Sequence, residues 1–126
     1  MKKLDGIRKK GYKTALGVLS GTSVDAVDIV LAGIRGSASS LKVDVIDYQE
    51  YTIPQRLRSF ILENSAPGRG SVDNLCRMNF LLGNLYASKI NRFLKDRNIK
   101  NKEIDFKLQT PDRSFSWPYR PGLFFQ

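Results

Sequence analysis

The chain has 126 residues, 21 Lys+Arg against 12 Asp+Glu, a net charge of +9 and 41% apolar residues. That length and balance suit one domain or a piece of a larger one, and exclude a wholly disordered polymer. The lack of histidine and the lone Cys76 exclude an internal disulfide framework and remove the commonest general base and zinc ligand.

Residues 1–13 form a basic arm in which Lys2, Lys3, Arg8, Lys9, Lys10 and Lys13 face only Asp5. The arm lacks the apolar stretch of a secretory leader. It reads either as a solvated, frayed terminus or as a nucleic-acid-binding arm making phosphate contacts. Scattered charge elsewhere and only Tyr12 nearby disfavour nucleic acid. No apolar run reaches the roughly 20 residues of a membrane-spanning helix, so no membrane partner is expected. One reduced cysteine fits a cytoplasmic location.

Strands are predicted first. Thr14–Leu19 is a short apolar run closed by Ser20-Gly21-Thr22-Ser23. Ala26–Ile34 is rich in β-branched residues and ends at a Gly/Ser turn. In Leu41–Ile53, Leu41, Val43 and Val45 alternate with Lys42 and Asp44, the period of a strand with one wet face. Short connections predict an antiparallel three-strand meander.

Helices follow. Pro54 suits the first turn of a helix carrying Leu57, Phe60 and Ile61 at i, i+3, i+4, and Pro67-Gly68-Arg69-Gly70 stops it. Ser71 is a good N-cap, and Asp73 suits the helix dipole. Leu75, Met78, Leu82, Leu85, Tyr86, Ile90, Phe93 and Leu94 mark a stripe reaching about Arg97. A stripe at this spacing is read as core rather than as a partner surface. After a polar break, Ile104-Asp105-Phe106 starts another strand. Lys107–Gln126 holds Pro111, Pro118 and Pro121 and shows no periodicity. That tail is open to two readings: a docking peptide or a segment not selected to fold here.

One local motif carries chemistry. The segment from Gly17 to Asp28 joins the first two strands with small residues, two hydroxyls beside a glycine, and carboxylates at Asp25 and Asp28. Gly21 permits a close backbone approach or positive φ. Backbone N–H groups in such a turn form an anion site, and Thr22 and Ser23 hydroxyls add donors. A carboxylate there suits a hydrated magnesium shared with phosphates. A plain hairpin with side-chain-to-backbone turn bonds is the competing reading.

The run LGVLSGTSVDAVDIVLAGI closely resembles the N-terminal signature of the anhydro-N-acetylmuramic acid kinases, a Ser-Gly-Thr-Ser-x-Asp-Gly-x-Asp phosphate hairpin. The strand at Val43–Thr52, Pro54, the Leu81–Ala87 helix and Ile104-Asp105 follow in the family's order, so the resemblance covers about 15–106. It implies an α/β chain, the N-terminal part of an actin-like ATPase domain spanning 14–106. It implies ATP-dependent phosphorylation of anhydro-N-acetylmuramic acid while water opens the anhydro ring, in cell-wall recycling. ATP and Mg2+ are the implied cofactors. Gly21, Thr22, Ser23, Val24, Asp25, Ala26, Val27 and Asp28 are the implied ATP-binding stretch, with Asp25 holding magnesium through water. The resemblance leaves a homodimer open for the full-length family.

Two departures stand out. Ala26 replaces the family's usual glycine, a strained choice if that position needs positive φ. Past Ile104-Asp105 the family's Ser-His-Gly-Gln-Thr segment is missing. The chain is therefore expected to be a truncated or frame-shifted N-terminal portion, with 107–126 out of register. No catalytic residue is assigned within it, and alone it is expected to be inactive and to bind nucleotide weakly at most.

Overall fold

A computed structural model describes residues 6, 7 and 9–109. Residues 1–5 and 8 of the proposed basic arm and residues 110–126 of the tail lie outside the described residues.

Four strands form one mixed sheet. β1 is Tyr12–Ser20, β2 Ala26–Arg35, β3 Lys42–Thr52 and β4 Phe106–Gln109. Their spatial order is β3-β2-β1-β4. β2 runs antiparallel to both β1 and β3, whereas β4 runs parallel to β1. A parallel neighbour needs a long crossover, and two helices supply it: α1, Gln55–Ser65, and α2, Val72–Asp96.

The helices cover one face of the sheet. Residues paired across strands share a face. Leu16 with Leu31, Val18 with Ile29, and Val27 with Tyr51 therefore line the covered side. They are buried together with Ile53, Ile61, Met78, Leu85, Phe93, Leu94 and Ile104. The α2 stripe is thus core, as its spacing predicts.

Among the described residues the opposite face has no such cover. Val43 and Val45 pair with Ile34 and Ala32 on that side and stay 57% and 69% exposed. Tyr48, Leu19 and Leu108 are about half exposed. The β3 alternation does mark a strand, but its apolar side points away from the helices, contrary to expectation. The cause is a bulge. Leu31 pairs with Asp47 and Ala32 with Val45, leaving Ile46 unmatched. One extra residue inverts the side-chain parity of a strand. Beyond the bulge Asp47, Gln49 and Tyr51 face the helices, and Asp47 accepts a charged hydrogen bond from Arg97 just past α2.

Capping explains the helix limits. Pro54 is the N-cap of α1, one place earlier than expected, and its carbonyl accepts from the Leu57 and Arg58 N–H groups. Gly70 takes φ +97° over the Asn64 carbonyl, 2.6 Å from where a Cβ would stand, so only glycine fits. The Ser71 hydroxyl accepts from the Asn74 N–H. α2 ends with Asn98 at φ 55°, its N–H on Lys95 and that of Ile99 on Leu94, which satisfies the last carbonyls.

The predicted strand entry at Ile104-Asp105-Phe106 continues to Gln109, into the segment read as lacking periodicity. Four residues are too few to show a period, and their pairing comes from β1. Asp105 seats the strand. Its N–H donates to the Thr14 carbonyl, and its carboxylate accepts from the Thr14 N–H and from Lys10 Nζ at 2.9 and 2.7 Å.

Candidate functional site

The site is built at the β1–β2 turn. The ladder closes at Ser20 with Val27, and the Val24 N–H donates to the Gly21 carbonyl at 3.1 Å. Neither central residue, Thr22 nor Ser23, has positive φ, so this is a type I turn. Val24 follows at φ 52°, an uncommon conformation for a β-branched residue. Its side chain is fully buried in the core, and that burial offsets the local strain. The Ile53 N–H donates to the Asp25 carbonyl at 2.8 Å, tying the turn to the end of β3.

The eight proposed residues separate into three groups. Gly21, Thr22, Ser23 and Asp25 are exposed on the turn. The N–H groups of Gly21, Thr22 and Ser23 have no acceptor among the described residues. The space beside Gly21 is open, with only Ser23 Oγ within 4 Å of a Cβ placed there. Val24 and Val27 bury their side chains in the core, so only their backbone can serve a ligand. Ala26 and Asp28 are half-buried at the start of β2, and neither has positive φ. The left-handed residue is Val24, so the methyl of Ala26 costs no backbone strain.

The two carboxylates have different partners. Ser23 Oγ donates to Asp25 Oδ1 at 2.7 Å. That hydroxyl first, then the turn amides and the Arg58 charge, hold the Asp25 carboxyl below its ordinary range. It is ionised at neutral pH. Asp28 instead accepts from Tyr48 Oη at 2.6 Å across to β3, and this bond pushes the Tyr48 phenol up to about 12. Among the described residues no group of three or more His, Cys, Asp or Glu could hold a metal. Asp25 alone fits the lesser demand of a hydrated magnesium that takes its other ligands from phosphates and water.

Two nearby residues are not among the eight. Ser20 is 3% exposed, and its hydroxyl has no partner among the described residues. Arg58 Nε donates to the Ser23 carbonyl at 3.1 Å. Nothing in the local sequence marks it, because its contact spans 35 positions. Together the turn offers unpaired amides, a free hydroxyl at Thr22 and one fixed negative charge, a set that suits an anion accompanied by a cation.

The comparisons extend this. The family model described as anhydro-N-acetylmuramic acid kinase matches residues 13–108. A protein of that name from Caldanaerobacter subterraneus subsp. tengcongensis is 31% identical over 83% of this chain and 26% of its own length. Another, from Francisella tularensis subsp. novicida, is 36% identical over 75% of this chain and 25% of its own. One from Clostridioides difficile is 32% identical over 73% and 24%. The chain thus spans about a quarter of the length of the curated relatives it matches. The match enters at Lys13, takes in the whole β1–β2 turn, and runs into β4; the chain belongs to the anhydro-N-acetylmuramic acid kinase family.

Proposed function

We propose that this chain carries the phosphate-binding turn of an ATP-dependent kinase of anhydro-N-acetylmuramic acid, within the N-terminal part of an actin-like ATPase domain. In this reading the amides and hydroxyls of Gly21–Ser23 meet the ATP phosphates, and Asp25 holds Mg2+ through water. The ion, when bound, supplies positive charge against the phosphates. Family membership and the relatives' shared name support the substrate. The observation that carries the site is the set of N–H groups that have no acceptor among the described residues, on a turn fixed at Val24 and Asp25.

Phosphoryl transfer works by positioning and charge stabilisation from several elements at once, of which this turn is one. The γ-phosphoryl group passes to the sugar while water opens its anhydro ring, a reaction of cell-wall recycling that belongs in the cytoplasm. No helix among the described residues is long and apolar enough to cross a membrane. A nucleic-acid role for the basic arm is disfavoured because Lys10 is engaged by Asp105, and Lys13 by the Lys10 carbonyl.

Titration of the full chain with Mg-ATP tests the reading. Saturable binding that weakens at least tenfold in Asp25→Ala supports it. Wild-type affinity in Asp25→Ala, or no binding to the wild-type chain, overturns it.

A further inference from the structure

Arg58 is the fourth residue of α1. A cation there opposes the helix dipole, which is positive at that end. Arg56 adds a second cation to the same first turn, and no acidic residue compensates there. The placement costs the helix stability and calls for another interaction to explain it.

That interaction is with the Ser23–Val24 peptide. The Ser23 carbonyl accepts from Arg58 Nε at 3.1 Å, and the Val24 N–H of the same peptide donates to the Gly21 carbonyl at 3.1 Å. A peptide unit is planar, so these two bonds hold one plate from opposite edges. Rotating the plate by half a turn would change ψ of Ser23 and φ of Val24 together. It would release Val24 from φ 52° into the broadly allowed region. It would also break both bonds and open the turn. The strained state is therefore the one that Arg58 holds.

We propose that Arg58 is a positioning residue for the β1–β2 turn, locking the Ser23–Val24 peptide in the orientation that keeps the turn closed and its amides available. The nucleotide part of this role rests on the reading of the turn as a phosphate site. The Val24 side chain and the Ile53-to-Asp25 bond fix the flanks of the turn, while Arg58 fixes the peptide between them. Its charge also helps keep Asp25 ionised.

The test is site-resolved amide hydrogen exchange on the full chain, with and without Mg-ATP. Arg58→Met keeps the aliphatic stem and removes donor and charge. It is expected to speed exchange of the Val24 N–H at least tenfold while the amides around Phe93 in α2 hold their wild-type rates. Arg58→Lys, which keeps a charged donor without the planar fork, is expected to fall between. Mg-ATP affinity should drop about tenfold in Arg58→Met and recover partly in Arg58→Lys. Unchanged Val24 exchange in Arg58→Met overturns the proposal. If that variant loses protection throughout, Arg58→Gln is read by the same criterion. If the wild-type chain binds no Mg-ATP yet Val24 responds, the nucleotide reading fails and the peptide lock stands.

Discussion

The two faces of the sheet are built from similar residues and meet different fates. On the inner face Leu16, Val18, Val27, Ile29 and Leu31 are buried under α1 and α2. On the outer face Leu19, Val43, Val45, Tyr48 and Leu108 stay exposed. Side-chain chemistry therefore does not decide which face is core; the crossover helices do, by covering one side. An uncovered apolar sheet face contributes little to folding, because the hydrophobic gain comes only from area removed from water.

Three substitutions sharpen this contrast. The largest effect is expected inside. Phe93→Ala empties a site with no exposed surface and should cost about 3–5 kcal/mol in urea unfolding of the full chain. A loss below about 1 kcal/mol would mean that the inner layer is not the core. An intermediate effect belongs to the edge that adds Phe106 and Leu108 to the outer face. Lys10 beside Asp105, then the Thr14 amide, hold the Asp105 carboxyl below its ordinary range. A depressed carboxylate stabilises the fold above its unfolded value of about 3.9 and loses that contribution as pH falls through the lower folded value. Thermal melts from pH 7 to pH 2.5 should show an acid decline that is shallower in Asp105→Asn, since Asp25 and Asp47 are also depressed. An identical decline would remove Asp105 from the account. The smallest effect is expected outside. Val45→Thr should change stability by no more than about 0.5 kcal/mol in the same unfolding assay. A loss near 2 kcal/mol would show that this face is covered in solution.

The sequence showed more of the elements than of their orientation. β1 to β3 and both helices announce themselves locally, through β-branched runs, the Ser71 cap and the α2 stripe, whereas β4 shows only its entry at Ile104-Asp105-Phe106. The facing of Val43 and Val45 was not legible, because the bulge at Ile46 appears only when β3 is laid against β2. The turn was legible as Ser-Gly-Thr-Ser-x-Asp, since its chemistry is contiguous. The separate engagements of Asp25 and Asp28 were not, because Tyr48 reaches Asp28 across 20 positions. Arg58 was hidden for the same reason, and Ser20 because burial cannot be read from a hydroxyl.

Asp105 carries one more implication. A strand of four residues joining a sheet more than eighty positions after its neighbour has few rungs with which to choose its alignment. Three bonds from one residue to Thr14 and Lys10 index that choice, and a slip by a single step would forfeit all three. The opening lysine-rich stretch thus helps set the reading frame of the sheet's last-arriving member, work distinct from solubility or charge.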